Sequence, residues 1–341
     1  MNYQQRLKEA LQEEHAKVFD KTSGHINLKF QKKINNCMIC GVSKTKIFCI
    51  KDGFKHLKCL NCGFVYVDPR LNEEATFAFY NSKVNEIYNE SKFHDNNDPV
   101  KIDDKLNLIN YNLLKTYISN IAGKKVLEIG PGRGAFLKEA KKDGFDIYAV
   151  ELNKVLIDQL RPICSEVYEK DLLELDLESN FFDVIYTRDV MEHIPDPVPF
   201  LKKINQILKP GGLLLIDTHN IDSLINITTK QYHTVVFAFE HPVHWSPQTL
   251  KIACEKVGMK HIKTHFLEMD FSLGNLVNYF TNPSFTYIYP PKMNKIQKRI
   301  LNFIDNILKI PYVRVLDVKI SKFIALKTGR GSKMQVFFTK N

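Results

Sequence analysis

The sequence predicts an α/β fold with a small metal-binding module ahead of its main domain. Between Lys124 and His219, short apolar runs alternate with stretches that have helical spacing. This alternation is typical of a parallel sheet covered by helices. A glycine-rich loop follows the first apolar run, and two Cys-x-x-Cys pairs separated by 18 residues precede it.

Length and composition indicate a globular chain that folds without disulfides. It has 341 residues, of which 44% are hydrophobic and 25% charged, and this length corresponds to about two domains. No apolar run approaches the ~18 residues that suggest a transmembrane helix. The N-terminal stretch MNYQQRLKEALQEEHAK lacks the apolar core of a signal peptide, so we expect a cytoplasmic protein.

The net charge of +10 lies at the two ends of the chain. Residues 1–70 hold 13 Lys and Arg against 6 Asp and Glu, and residues 292–341 hold 12 against 2. The middle therefore holds 23 (48 − 13 − 12) against 30 (38 − 6 − 2). A basic balance suggests nucleic acid or a membrane surface as a partner, but only the ends raise that question here.

Four cysteines, Cys37, Cys40, Cys59 and Cys62, have the spacing of a zinc site. Two such pairs supply four thiolates in a tetrahedron, which suits zinc. Disulfides are the alternative, but a chain without an export signal is expected to keep its thiols reduced. Four protein ligands leave no position for a reactive water, so we expect a structural zinc.

We divide the chain into six segments: an N-terminal helix (1–33), the zinc module (34–70), a helical linker or lid (71–120), the main α/β domain (121–270), a helical insert (271–331) and a final sheet strand (332–341).

The glycine loop VLEIGPGRGAF predicts a cofactor site. Gly130, Gly132 and Gly134 allow the backbone to turn sharply and to approach a ligand closely. Glu128 lies two positions before the first glycine, and a carboxylate there would repel a pyrophosphate and attract an α-amino group. The loop therefore favours S-adenosylmethionine over a dinucleotide.

Acidic residues follow the next strands in the order that such a cofactor needs. Glu151 ends the second predicted strand, where a carboxylate can accept both ribose hydroxyls. Asp171 follows the third and can accept from the adenine amino group, with Leu172 against the ring. Asp189 ends the fourth strand, which we expect to reach the cofactor. The alternative for each acid alone is a helix cap.

Residues 121–265 and the final strand resemble the class I S-adenosylmethionine-dependent methyltransferases. The resemblance rests on VLEIGPGRG, Glu151, the Asp171-Leu172 pair, DVMEHIPDP and LKPGGLLLIDT. It implies a Rossmann-like doubly wound sheet, preceded here by a zinc-ribbon-like module and carrying a helical C-terminal insert. It also implies that the loop glycines and Glu128 hold the methionine end of the cofactor, Glu151 the ribose and Asp171 the adenine.

The Cys-x-x-Cys module together with EHPVHWSPQTL is similar to sugar methyltransferases of bacterial surface-polysaccharide and antibiotic pathways. This narrower resemblance implies methylation of a sugar hydroxyl on a nucleotide-activated or polysaccharide-precursor sugar, as in capsule or O-antigen biosynthesis. His241 is the expected base for the hydroxyl proton, Glu240 beside it faces the substrate, and His193 is a further candidate.

Two alternatives stay open. Carbon methylation of a keto-sugar nucleotide is one, although the similar carbon-methylating enzymes carry a tyrosine where this chain has Ala238. An RNA methyltransferase is the other, since a zinc module and basic ends would suit it. The run TRDVMEHIP after the fourth strand lacks the Asn/Asp-Pro-Pro-aromatic pattern of base-methylating enzymes, so we expect no nucleic-acid partner.

An amphipathic basic helix is predicted inside the C-terminal insert. Apolar residues recur at helical spacing in KMNKIQKRILNFIDNILKIP, with Lys and Arg between them. Packing on the domain is the simplest interpretation. Residues 292–325 are otherwise expected to contact a second copy of the chain or an anionic membrane surface.

Overall fold

The computed structural model describes residues 3–20, 25–93, 98–269, 271–281, 288 and 294–341. These residues form two compact units, each assembled from separate stretches of the chain. The first unit comprises Met1–Phe93, His219–Ser246 and Phe266–Lys333, and the second His94–Thr218, Pro247–His265 and Met334–Asn341. The division into six segments stays a prediction.

Within the described residues, the sheet of the second unit has seven strands in the order β12-β13-β10-β9-β6-β7-β8. Its strands are β6 (Lys125–Ile129), β7 (Asp146–Val150), β8 (Glu166–Tyr168), β9 (Phe182–Arg188), β10 (Leu208–His219), β12 (Met259–Leu267) and β13 (Lys333–Lys340). Strands β10, β9, β6, β7 and β8 pair in parallel. The predicted α/β sheet is thus confirmed, and its parallel pairing holds for these five strands of a mixed central sheet. The expected final strand is present as β13.

Helices accompany these strands, and their apolar residues recur on one face that packs against the sheet. They are α4 (Asp98–Lys115), α5 (Ala135–Lys142), α6 (Lys154–Leu160), α7 (Pro197–Ile207) and α9 (Pro247–Lys256). In α7, Phe200, Leu201, Ile204 and Ile207 are all buried, which is the i, i+4, i+7 spacing of a helix on a sheet. The core contains Tyr111, Phe136 and Tyr186.

The order in which strands are added to the sheet reverses at β6. From β6 the chain proceeds to β7 and β8 on one side, and later to β9 and β10 on the other. Such a switch point opens a crevice at the carboxyl ends of the strands, where ligands bind in open α/β sheets. The glycine loop follows β6 directly, so it lies at this crevice.

One boundary was predicted wrongly. The polar run HDNNDPVKIDD predicts a loop over 94–104 from the sequence, but α4 begins at Asp98; residues 94–97 lie outside the described part. Pro99 occupies the first turn of α4, where a missing N–H costs nothing because first-turn donors have no helical partner.

The first unit contains two small sheets in its described part. One pairs β1 (Gln31–Lys32) with β5 (Arg70–Leu71), and the other has the order β11-β4-β3-β2. The strands of the latter are β2 (Thr45–Lys51), β3 (Phe54–Cys59), β4 (Val65–Val67) and β11 (Val243–His244). From the sequence, the stretches Lys46–Ile50 and Phe64–Val67 predict two strands of the zinc module, which correspond to β2 and β4, whereas β3 is not predicted. Strand β3 pairs with both β2 and β4.

The remaining helices of this unit are α1 (Tyr3–Val18), α2 (Glu73–Tyr80), α3 (Lys83–Phe93), α8 (Leu224–Thr229), α10 (Leu273–Thr281), α11 (Lys295–Leu308) and α12 (Pro311–Lys327). The predicted N-terminal helix is confirmed, and the insert is helical in its described part. None of the described helices combines the length and the hydropathy that crossing a bilayer demands.

Candidate active site

The glycine loop after β6 has a backbone that only glycine adopts without strain. Gly130, Gly132 and Gly134 have φ values of 70°, 55° and 70°, in the left-handed region that L side chains rarely adopt. A Cβ on Gly130 would lie 2.6 Å from Val190, and one on Gly134 would lie 2.7 Å from Leu160. A Cβ on Gly132 would meet nothing within 4 Å. The outer two glycines therefore allow tight packing, while the middle one leaves open space where a ligand can approach the backbone.

Glu128 places a buried carboxyl group inside β6, two residues before the loop. Its Oε2 has no hydrogen-bond partner among the described residues. Burial raises the pKa of Glu128 to about 8; the nearby Arg188 guanidinium opposes this rise, and the carboxylates of Asp103 and Glu151 add to it. Such a carboxyl group suits a cationic donor, because a charged partner would stabilise its ionised form.

Glu151 follows β7 directly and holds the loop in place. Its carboxylate accepts hydrogen bonds from the Leu152 N–H at 2.8 Å, the Asn153 N–H at 2.9 Å and the Gly132 N–H at 3.3 Å. The predicted ribose-binding residue thus lies beside the middle glycine. In this structure its carboxylate also orders the start of α6.

The acids after the third and fourth strands lie at the expected strand ends. Asp171 caps a short 3₁₀ turn by accepting from the Leu173 N–H at 2.8 Å, so the cap alternative describes its contacts in this structure. Leu172 is buried. Asp189 has a left-handed backbone, with φ of 52°, and forms an ion pair of 3.2 Å with Arg188.

Arg188 and its contacts with α4 are not predicted from the sequence. The Arg188 Nε donates to Asn107 at 3.0 Å, and its guanidinium also pairs with Asp103. Behind it, Asn110 donates to the Tyr186 hydroxyl at 2.7 Å and to Asp217 at 2.6 Å. The local sequence does not predict these contacts, because the partners on α4 lie about 80 positions before Arg188.

The candidate catalytic residues are divided between the units. His193 lies in the second unit, in the turn after β9, where its N–H donates to the Val190 carbonyl at 2.9 Å. His241 and Glu240 lie in the first unit, on a turn in which both N–H groups donate to the Phe237 carbonyl. The structure therefore brings His241 and Glu240 onto one turn and places His193 on another element.

His241 is held in one tautomer. Its Nδ1 lies 2.7 Å from the Val235 carbonyl oxygen, and since a carbonyl only accepts, Nδ1 carries the proton. In the neutral ring Nε2 is then the basic nitrogen. The His219 ring lies 6.0 Å away, centroid to centroid.

A buried group of basic side chains accompanies His241 in the first unit. His56 Nδ1 lies 3.0 Å from His244 Nε2, and Lys51 donates to the His233 carbonyl at 3.1 Å. Burial, aided by Lys51, lowers the pKa of His56 to about 3, and burial lowers the pKa of Lys51 to about 8. His56 is therefore neutral at pH 7, and its surroundings disfavour a further positive charge.

Comparison with known proteins relates about half of the chain, residues 103–264, to methyltransferases. A family model described as a methyltransferase domain matches residues 103–264. Residues 103–264 form a class I S-adenosylmethionine-dependent methyltransferase domain. The predicted cofactor class is confirmed at that level, while the assignment of individual cofactor contacts stays a prediction.

Two curated relatives of this methyltransferase domain are ubiquinone biosynthesis O-methyltransferases. The protein of Haemophilus ducreyi is 27% identical over 155 residues, which are 42% of this chain and 63% of the relative. That of Nitrosococcus oceani is 27% identical over 177 residues, 49% of this chain and 72% of the relative. The chain thus spans less than two thirds of the Haemophilus protein. Neither name mentions a sugar, so the narrower resemblance stays a prediction.

Among solved structures, this chain matches an S-adenosylmethionine-dependent methyltransferase from Archaeoglobus fulgidus. It is 20% identical, with a TM-score of 0.46, and the match covers 72% of this chain and 100% of that one.

The four predicted zinc ligands lie together in the first unit, apart in sequence from the methyltransferase match. The sulfurs of Cys37, Cys40, Cys59 and Cys62 are all within 4.8 Å of one another. The Cys37–Cys62 and Cys40–Cys59 sulfur distances are both 3.5 Å, too long for a disulfide of about 2.05 Å. A tetrahedral zinc site with bonds of about 2.3 Å has sulfur–sulfur edges of about 3.8 Å, so the donor set fits this metal.

The cysteine cluster shares a sheet with the segment that carries His241. Strand β11 pairs with β4 through Val243 and Tyr66, and the Val67 N–H donates to the Pro242 carbonyl at 2.9 Å. The Trp245 ring packs 4.8 Å from that of Phe64. The module therefore supports the backbone directly after His241.

Proposed function

We propose that this protein transfers a methyl group from S-adenosylmethionine to a hydroxyl oxygen, with His241 as the general base. The observation that carries the proposal is the glycine loop of the methyltransferase domain, with the buried carboxyl group of Glu128 behind it. When bound, the cofactor supplies a methyl group on a positively charged sulfur. The protein's own residues then have to bind the cofactor, orient the acceptor and remove the proton of the acceptor hydroxyl.

The loop residues fit the cofactor. Glu128 would bind the α-amino group, and ionisation of its carboxyl group would accompany that contact. Gly132 leaves room for the ligand against the backbone, and Glu151 beside it would accept from the ribose hydroxyls. Asp171 and Leu172 would border the adenine, and Asp189 would lie near the methionine end.

His241 supports the oxygen chemistry. With Nδ1–H fixed on the Val235 carbonyl, Nε2 would take the proton of the acceptor hydroxyl as the oxygen attacks the methyl carbon. Glu240 on the same turn would contact the acceptor. His193, in the turn after β9, is the second candidate base.

We propose a sugar hydroxyl as the acceptor, on a nucleotide-activated or polysaccharide-precursor sugar. Support comes from the cysteine module and the EHPVHWSPQTL segment, which meet in one sheet. The family match begins at residue 103 and ends at 264, so it leaves out the module and the helical insert. We propose that those parts contribute to acceptor recognition, and for this reason we do not infer the acceptor from the relatives' names alone.

A second candidate acceptor is a hydroxyl group of an intermediate in ubiquinone biosynthesis. The printed names of the two relatives favour it, and both names also favour oxygen over carbon as the methylated atom. Ala238, at the position where similar carbon-methylating enzymes have a tyrosine, is buried among apolar residues of the first unit, which also favours oxygen.

The experiment is a methyl-transfer assay with labelled S-adenosylmethionine and three acceptor panels: nucleotide sugars, hydroxylated quinone precursors and RNA. We expect labelled product with a nucleotide sugar, at an oxygen by mass spectrometry. Product only with a quinone precursor would favour the second candidate, and product only with RNA would refute both.

We also propose that the four cysteines hold a structural zinc. It would fasten β3 and β4, and through β11 it would fix the backbone next to His241. Metal analysis of the purified chain is expected to give one zinc per molecule; a chain that folds and methylates without metal would refute this role.

A further inference from the structure

The two C-terminal helices α11 and α12 expose many large apolar side chains to solvent. Thirteen large apolar side chains on these helices are exposed: Ile296, Ile300, Phe303, Ile304, Ile307, Tyr312, Val315, Leu316, Val318, Ile320, Phe323, Ile324 and Leu326. Tyr312 is 90% exposed, Phe303 68% and Phe323 61%. Single exposed apolar residues are ordinary, but so many on two helices that contact each other indicate an interaction surface.

Helix α12 packs on its unit with its polar and small residues. Asp317, Ser321 and Ala325, spaced four apart, are its buried residues. Asp317 accepts from the Leu273 N–H at 2.9 Å and from the Gly274 N–H at 3.0 Å, so it caps the start of α10. Because these residues share one face, the opposite face, which carries Tyr312, Leu316 and Phe323, is directed to solvent.

Helix α11 presents an apolar stripe in the same way. Ile296, Ile300, Phe303, Ile304 and Ile307 recur at i, i+4, i+7, i+8 and i+11, and all are exposed. Helices α11 and α12 contact each other and α10. The two apolar faces therefore belong to one helical subdomain, which we define as residues 294–327.

The net positive charge of this subdomain favours an anionic partner over a second copy of the chain. It contains eight Lys or Arg and two Asp. Asp317 is engaged in the α10 cap, and Asp305 pairs with Lys309 at 2.6 Å. A second copy of the chain would bring two strongly basic surfaces together, whereas a lipid surface with anionic headgroups would complement the lysines and accept the apolar side chains between them.

We propose that residues 294–327 dock the protein peripherally on an anionic membrane surface. Phe303, Phe323 and Tyr312 would enter the interfacial region of the bilayer, while Lys319 and Lys322 would bind lipid phosphates. This inference does not depend on the acceptor, since it rests on exposure and charge alone.

The test is sedimentation of the full chain with vesicles of phosphatidylcholine alone or with added phosphatidylglycerol, at low and high salt. We expect binding to the anionic vesicles that high salt weakens. F303S/F323S is expected to bind at least about tenfold more weakly through lost apolar insertion, and K319Q/K322Q roughly fivefold more weakly per lysine on anionic vesicles only. The matched control is F77S, which changes an aromatic residue of α2 that is 72% exposed and is expected to bind normally.

Three outcomes would overturn the proposal. Absence of sedimentation with both vesicle types is one, and equal binding to both types without a salt effect is another. The third is a wild-type protein that does not bind vesicles and is a dimer by light scattering, while F303S/F323S is a monomer. A second copy of the chain would then cover the apolar surface. Retained circular dichroism and cofactor binding would show that each variant is folded.

Discussion

Replacing Glu128 by glutamine tests how the buried carboxyl group couples cofactor binding to protonation. With a pKa of about 8 against an ordinary value of 4.5, the carboxyl group is protonated in the folded, cofactor-free protein at pH 7. A glutamine has nearly the same shape and never ionises. Glu128→Gln is therefore expected to preserve the fold while removing the titration.

The sign and size of the stability effect follow from these two values. Between pH 4.5 and 8 the folded state holds a proton that the unfolded chain releases, so the free energy of unfolding falls as pH rises. The stabilisation is fully present below about pH 4.5 and is lost as pH rises through about 8. At about 1.36 kcal/mol per pH unit, the wild type loses up to roughly 3.5 kcal/mol relative to Glu128→Gln between pH 5 and pH 8.

Cofactor binding changes in the opposite direction. A bound α-amino group stabilises the ionised carboxylate, so the wild type is expected to release close to one proton on binding at pH 7 and to bind more tightly as pH rises toward 8. Glu128→Gln cannot release this proton and loses a charge-assisted hydrogen bond. A loss of about 1.5–3 kcal/mol for such a bond corresponds to roughly 10- to 150-fold weaker binding.

The assays are urea unfolding followed by circular dichroism from pH 5 to 8, and calorimetry of S-adenosylhomocysteine binding in buffers of different ionisation enthalpy. Glu178→Gln, at an exposed acid, is the matched control and is expected to follow the wild type. If the difference in unfolding free energy between wild type and Glu128→Gln were the same at every pH, or if both released the same number of protons, the assignment of a raised pKa and a cofactor role to Glu128 would be refuted.

The other predictions concern the base, the metal and the loop. His241→Ala is expected to lower turnover at least ~100-fold, the usual scale for a general base, with unchanged cofactor affinity by calorimetry; wild-type turnover would contradict it, and the exposed His25→Ala is the control. Cys59→Ser is expected to remove the zinc, by metal analysis, and to lower turnover without weakening cofactor binding, whereas Cys164→Ser outside the cluster keeps both. Gly132→Ala is expected to weaken cofactor binding more than it lowers the melting temperature, because its Cβ meets no protein atom within 4 Å; an unchanged Kd would exclude close ligand approach there.

Sequence periodicity predicted the parallel sheet well because its strands are short apolar runs with unambiguous endings. It missed β3 because FKHLKC buries a histidine at an alternate position, and a buried polar residue breaks the apolar alternation on which the prediction depends. His56 is tolerated inside that strand through its contact with His244, 188 residues away. Such a partner has no trace in the local pattern.

The positions of the proposed cofactor residues could be predicted because each follows the end of one strand, and strand ends in a parallel sheet meet at one edge. Their contacts with the cofactor stay a prediction. Arg188 also ends a strand, but its contacts were not predictable. Its partners Asp103 and Asn107 lie on α4, in a stretch that we had partly assigned to a loop. Local spacing identifies which residues are available for a site, whereas the long-range contacts decide how their charges act on one another.

The face that a helix buries is a further property that spacing alone does not determine. An amphipathic pattern such as that of α11 shows where the apolar stripe is, and the usual inference is that this stripe contacts the core. Helix α12 is an exception, because its buried Asp317 caps two N–H groups of α10. In α12, the hydrogen bonds to the buried N–H groups thus determine which face is buried, and Phe323 and Leu316 stay exposed. The apolar residues left outside would contribute stabilisation only when an external surface covers them, and the lysines among them favour an anionic one.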